Sequence, residues 1–196
     1  MKYYSKPEMK KIFLLIVLCT GVLFNAQKLK LGDFKLITYD VEPSNNIKIY
    51  SYSKIDKQGI LSVYLKRSRD EVYYKYQLTE DEIEKINQLS SKKMKDFVVK
   101  KQLDKNQGYA GNRNYITFQV GGKKDKLCFI NPFMDAGFNN IINLLKDKIY
   151  KQDDLAKSAD FTIDFESAKK EIITQDEIDN YLPQKQLPPP PMKVVK

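Results

Sequence analysis

The sequence predicts an α+β domain in which two amphipathic helices pack on one face of an antiparallel sheet of about six strands. Short segments of alternating apolar and polar residues, joined by short turns, indicate the strands. Two longer segments carry apolar residues at helical spacing and indicate the helices. Because the strand pattern alternates, we expect the second face of the sheet to contact solvent.

The predicted strands lie on either side of the first helix, with four before it and two after it. We place them at residues 34–39, 47–52, 61–65, 72–78, 115–120 and 126–130. Gly59 can adopt positive φ, which suits the tight turn between two strands. A later turn is predicted at Gly121, Gly122 and the charged residues up to Asp125.

The first helix is predicted over residues 78–97. Thr79 and Glu82 have the spacing of a capping box, in which each side chain bonds the other residue's backbone amide. An apolar stripe follows the cap, with members Ile83, Ile86, Leu89, Met94 and Phe97.

The second helix follows the last predicted strand, and Asp135 or Asn131 can cap it. Its stripe has members Phe138, Ile141, Ile142, Leu145 and Ile149.

Residues 1–26 have the features of a secretory signal peptide. Lys10 and Lys11 precede an apolar run at residues 12–24, and Ala26 offers a cleavage point before Gln27. The ending Phe-Asn-Ala-Gln at residues 24–27 resembles the leaders of secreted proteins of Bacteroidota, a Gram-negative group. We therefore expect a periplasmic or secreted protein, with no transmembrane segment after the leader is removed. Either Met1 or Met9 can be the true start.

The charge of the chain reverses near Lys151. The whole chain carries a formal charge of +9, but residues 152–196 hold nine acidic and six basic side chains. We therefore predict an α+β domain at 27–151, an acidic segment at 152–182 and a proline-rich tail at 183–196. In the acidic segment, alternation over residues 161–165 favours an edge strand. Thr174 and Glu177 favour a short second helix with its own capping box.

The composition excludes several chemistries. The chain contains no histidine, which removes Ser-His-Asp triads, Cys-His dyads and histidine metal sites. Cys128 is the one cysteine after the leader, and its apolar strand neighbours indicate a core residue. Phosphate-binding and dinucleotide-binding glycine motifs are absent, so we predict no cofactor.

Two surfaces are candidates for ligand binding. The first lies after the first helix, where a glycine-rich loop and its flanks carry cations and one aromatic ring; its residues are Lys100, Lys101, Lys105, Tyr109 and Arg113. We predict that this loop binds an anionic envelope polymer or an acidic protein, including the chain's own acidic segment.

The second candidate surface is a sheet face with interleaved tyrosines and lysines, whose tyrosines are Tyr50, Tyr52, Tyr64 and Tyr73. Aromatic and basic residues together can bind sugars or single-stranded nucleic acid. Tyrosine is also simply a good strand residue, and that structural interpretation is favoured. Export argues against nucleic acid as a partner.

These features favour an exported, basic, non-catalytic binding or interaction module whose ligand the sequence does not identify. One alternative is a carboxylate-type hydrolase acting on envelope polymers, since such enzymes need no histidine. Another is a secreted inhibitor or immunity-like protein.

Overall fold

A computed structural model describes residues 28–42, 46–68, 70–104, 109, 111–151 and 156–178. The predicted leader and the proline-rich tail lie outside the described residues. Six strands form one sheet in the order β4-β3-β2-β1-β5-β6, and every neighbouring pair is antiparallel. The strands are β1 (Gly32–Val41), β2 (Ile47–Ile55), β3 (Ile60–Lys66), β4 (Glu71–Gln77), β5 (Arg113–Val120) and β6 (Lys123–Phe129). The predicted α+β fold is confirmed.

The first face of the sheet is covered by α1 (Glu80–Asn87) and α2 (Ala136–Tyr150), as predicted. The predicted stripe of α2 is buried along its whole length. Phe138 packs edge-on against Phe129 of the sheet, with 4.9 Å between ring centroids. Asp135 is the cap, because its Oδ1 accepts a hydrogen bond of 2.8 Å from the Phe138 amide. Asn131, the other candidate, begins a short 3-10 turn instead.

The first helix is shorter than predicted. The capping box of Thr79 and Glu82 is formed, with both reciprocal hydrogen bonds present. The α-helix then ends at Asn87, and two 3-10 turns follow at Gln88–Ser91 and Met94–Phe97. The Ser90 hydroxyl donates to the Asn87 carbonyl at 2.7 Å, a local bond of the kind that competes with helical bonding. The apolar stripe is nevertheless buried throughout.

The turn between β5 and β6 is tighter than predicted. Only Gly121 and Gly122 separate the strands, with φ of 57° and 77°. Two consecutive residues with positive φ match the twist of an antiparallel hairpin, and glycine adopts that conformation without steric cost. Strand β6 therefore begins at Lys123, three residues earlier than predicted.

The acidic segment forms a third helix, α3 (Phe165–Ile178), rather than an edge strand followed by a short helix. Asp164 precedes it, and its Oδ1 accepts a hydrogen bond of 2.9 Å from the Ser167 amide. Thr174 is not a cap: it lies inside the helix, where its hydroxyl donates to the Lys170 carbonyl at 2.9 Å. The alternating apolar residues Phe161 and Ile163 therefore lie in the segment before the helix and form no strand.

Helix α3 covers the second face of the sheet, so the expectation of a solvated face is wrong. Ala168 and Ile172 are buried against a second apolar cluster that includes Ile37 and Tyr115. Cys128 belongs to this cluster and is fully buried, which confirms its prediction as a core residue. The charge reversal near Lys151 therefore lies in the connection between two helices packed on opposite faces of one sheet.

Candidate functional site

An open pocket of about 570 Å³ lies at the end of the sheet where β1 begins and β2 ends. The polar side chains around it are Asp33, Lys35, Lys54, Asp56, Lys57, Gln58, Gln119 and Lys124. No residue of this pocket was predicted as a site, because its members come from three distant parts of the chain.

An irregularity in β1 shapes the pocket. The pairing of β1 with β5 shifts between Gly32 and Lys35, which places an extra residue in β1. Asp33 in this bulge has φ of 48°, a left-handed conformation that Asp tolerates better than most residues. Gln119 holds it in place, donating from Nε2 to Asp33 Oδ2 at 2.7 Å.

Lysines lie side by side across the sheet next to the bulge. Lys35 of β1 is directly opposite Lys54 of β2, and the same cross-strand row ends in Lys75 at one edge and Lys126 at the other. Like charges directly opposite each other on neighbouring strands are destabilising. The opposed pair Lys35 and Lys54 is therefore stabilised by a nearby anion.

One compensating anion comes from helix α3. Glu171 Oε1 lies 3.6 Å from Lys35 Nζ and 3.5 Å from Lys124 Nζ. The Tyr115 hydroxyl donates to Glu171 Oε2 at 3.0 Å. Partial burial alone raises the pKa of Glu171, but Lys35, Tyr115 and Lys124 outweigh it, and the pKa lies below its ordinary value. Glu171 is therefore ionised at neutral pH.

The tyrosines around this network remain neutral. Burial, together with the nearby Glu171 and Asp164 carboxylates, raises the pKa of Tyr52 to about 12. Burial and Glu171 also raise the pKa of Tyr115. Both phenols are consequently protonated at neutral pH, and that of Tyr115 donates to Glu171.

An aromatic group adjoins the pocket on the side of Lys54. The Lys54 amine lies 4.9 Å from the ring centroid of half-buried Phe161, a cation–π distance. Phe161 meets Tyr73 edge-on at 5.5 Å, and Tyr73 lies 5.4 Å from Tyr64. One amine of the pocket thus contacts an aromatic group that lies beside the pocket.

The four predicted tyrosines do not form an exposed face. Tyr52 and Tyr64 are buried under helix α3, so the predicted ligand surface is wrong at these two positions. Tyr73 is half-buried within the aromatic group. Tyr50 is half-buried at a register shift between β1 and β2, with the Lys48 amine 5.5 Å from its ring centroid.

The predicted loop site is only partly described. Lys100 Nζ pairs with Asp104 Oδ1 at 2.6 Å, and the Tyr109 hydroxyl donates to the Asn112 carbonyl at 3.0 Å. Both contacts are local to the loop. Lys101 lies on the surface, Arg113 begins β5 opposite Tyr39, and Lys105 lies outside the described residues. Binding of an anionic ligand by this loop stays a prediction.

Two carboxylates, Asp33 and Asp56, lie in the pocket, and both have structural partners. Asp56 Oδ1 accepts from the amides of Gln58 and Ile60, at 2.9 Å each, and so stabilises the β2–β3 turn. Asp33 is held by Gln119, as described above. Among the described residues, no cluster of three or more acidic or cysteine side chains is arranged to hold a metal ion.

The chain matches no family model, no curated protein and no solved structure. In the described part of the chain, no helix is both long and apolar enough to cross a membrane.

Proposed function

We propose that the chain is an exported, non-catalytic binding module whose pocket at the end of the sheet binds an anionic envelope glycan. The observation that carries this proposal is the placement of Lys35 directly opposite Lys54, with Lys124 beside them. Two lysines placed opposite each other on neighbouring strands at a pocket favour the binding of negative charge.

The aromatic group favours a sugar over a simple inorganic anion. Phe161 is half-buried and lies beside the Lys54 amine, next to the pocket. Aromatic rings offer apolar surface to the C–H faces of sugars, while amines bind acidic substituents. The leader at residues 1–26 would place such a module in the envelope or outside the cell, where anionic glycans are abundant.

Binding of this kind must depend on ionic strength. The pocket amines are partly exposed, and charges near the surface are screened over about 8 Å at physiological salt. We expect affinity for an anionic polymer to fall steadily between low and moderate salt, whereas a neutral polymer should show no such dependence.

The experiment compares two double variants with equal loss of charge. Lys35→Gln with Lys54→Gln alters the pocket, and Lys100→Gln with Lys101→Gln alters the predicted loop site. Both are assayed with the wild-type mature chain on polygalacturonate and on neutral dextran. We expect the pocket variant to lose about tenfold or more in affinity, equivalent to about 1.4 kcal/mol, and the loop variant to lose about twofold or less.

A larger loss in the loop variant would overturn the pocket proposal and favour the predicted loop. Equal weak binding of all forms to both polymers would overturn anion binding itself. Thermal unfolding of each variant ensures that a loss of affinity is not a loss of folded protein.

A carboxylate-type hydrolase is the second candidate, because Asp33 and Asp56 both lie in the pocket. Most glycosidases use a pair of carboxylic residues for catalysis. The assay is release of reducing ends from polygalacturonate and from other envelope polymers by wild type and Asp33→Asn. Turnover that this substitution abolishes would make the protein an enzyme, whereas our proposal expects none.

Export of the protein can be tested separately from ligand binding. We expect the protein recovered from the periplasm or the medium to begin near Gln27, and N-terminal sequencing measures this directly. Cytosolic protein that still begins at Met1 or Met9 would contradict export.

A further inference from the structure

Glu171 reaches the proposed pocket from an element that contributes none of the pocket's walls. Its Oε1 contacts two lysines of the pocket rim, Lys35 and Lys124, which come from strands far apart in sequence. Its Oε2 accepts a hydrogen bond from the hydroxyl of buried Tyr115. The two carboxylate oxygens are therefore recognised separately, one by amines and one by a phenol.

We propose that Lys35, Lys124 and Tyr115 form a carboxylate subsite, which Glu171 fills in the free protein and which the carboxylate of an acidic sugar enters when Glu171 is displaced. This inference rests on the proposed function and specifies both its ligand class and its regulation. Helix α3 thereby supplies an internal competitor for the ligand.

The ion pairs of Glu171 with Lys35 and Lys124 are weak enough for the carboxylate of a ligand to replace them. The side chains of Lys35, Lys124 and Glu171 are 30%, 44% and 27% exposed, so none of these ion pairs is sealed from water. Partly exposed ion pairs contribute only about 0.2–1 kcal/mol each. A polymer that presents many carboxylates at once reaches a high local concentration at the rim and competes effectively.

The same helix provides a matched control. Glu166 lies in the first turn of α3 and pairs with Lys169 at 2.9 Å, so its role is confined to the helix. Glu166→Gln and Glu171→Gln change the net charge of the protein by the same amount. Only the second frees the amines of Lys35 and Lys124.

The experiment measures the affinity of wild type, Glu171→Gln and Glu166→Gln for polygalacturonate, dextran sulfate and poly-L-glutamate at low salt. We expect Glu171→Gln to bind polygalacturonate about fivefold more tightly than wild type, the lower end of typical coupling between sites. Glu166→Gln should change the affinity by less than about twofold, the general effect of removing one negative charge. Thermal unfolding ensures that each variant is folded at the assay temperature.

The binding results distinguish a failure of the Glu171 competitor from a failure of the proposed function. No binding to polygalacturonate by any form, or binding unaffected by Lys35→Gln with Lys54→Gln, overturns the proposed function. If binding depends on the lysines but the affinity of Glu171→Gln is equal to that of Glu166→Gln, or weaker, only the role of Glu171 as a competitor is overturned. If Glu171→Gln gains as much affinity for dextran sulfate as for polygalacturonate, the subsite does not select carboxylates. If the protein binds poly-L-glutamate more tightly than polygalacturonate, the ligand is an acidic peptide and the acidic sugar is overturned.

Discussion

The two faces of the sheet differ in how they are covered. Helices α1 and α2 seal the first face with a continuous apolar cluster that includes Phe129 and Phe138. On the second face, α3 buries only Ala168, Ile172 and Gln175 among its described side chains. The first face therefore holds the larger part of the core, while the second combines a smaller core with charged residues at its margin.

The polar groups of the two faces follow the same division. On the second face the hydroxyls of Tyr64 and Tyr115 donate to the carboxylates of Glu71 and Glu171, and lysines lie in a row beyond them. Near α2 on the first face, Thr38 donates to Asn114, and Asn114 and Lys146 both donate to Asn131. The second face thus sets phenols against carboxylates, whereas an ion pair of the first face, Lys148 with Glu82, joins its two helices.

The largest expected difference comes from the same substitution on each face. Ile142 of α2 and Ile172 of α3 are both fully buried. Ile142→Ala should lower the free energy of unfolding by about 3 kcal/mol through transfer and cavity effects. Ile172→Ala should cost about 2 kcal/mol or less, because α3 can separate locally before the sheet unfolds.

Urea unfolding measures both losses, and amide hydrogen exchange locates them. Exchange in Ile172→Ala should increase in α3 while α2 remains protected. Faster exchange throughout the sheet, with a loss equal to that of Ile142→Ala, would show that the two faces unfold as one unit.

A smaller difference is expected between two threonines that the sequence marks equally as caps. Thr79→Ala should cost about 1 kcal/mol, because the Thr79 side chain accepts the Glu82 amide at the start of α1. Thr174→Ala should change stability by less than about 0.5 kcal/mol, since Thr174 lies inside α3 and alanine favours a helix. Thermal unfolding compares them, and similar losses would contradict the continuous helix over Phe165–Ile178.

The smallest expected effect concerns the pH dependence of α3 docking. The pKa of Glu171 is lower in the folded state than its ordinary value of 4.5, because Lys35, Tyr115 and Lys124 outweigh its partial burial. Its contribution is therefore present above that ordinary value and is lost as the pH falls through the lower folded-state pKa.

Glu171→Gln should accordingly cost about 0.5 kcal/mol at neutral pH, as partly exposed ion pairs do, and progressively less as the pH falls below 4.5. Stability of both proteins measured by urea unfolding across this range gives the difference. A gap between them that stays constant down to pH 3 would argue against the ion pairs of Glu171.

Patterns within one element were predicted well because they depend on neighbouring residues. The capping box of Thr79 and Glu82 and the buried stripe of α2 both follow from helical spacing. Errors arose where a local signal competed with tertiary packing. Thr174 carries a capping signal, yet burial of Ala168 and Ile172 against the sheet extends the helix through it.

The sequence by itself determined the α+β class, the burial of Cys128 and the absence of histidine chemistry, because periodicity and composition are properties of the chain. Only the tertiary structure decided that Lys35 is opposite Lys54, since strand register is set by packing across the sheet. The tertiary structure also decided that Glu171 contacts Lys124, although the two residues are 47 positions apart in the chain. The candidate site consists of such long-range contacts, which no local pattern encodes.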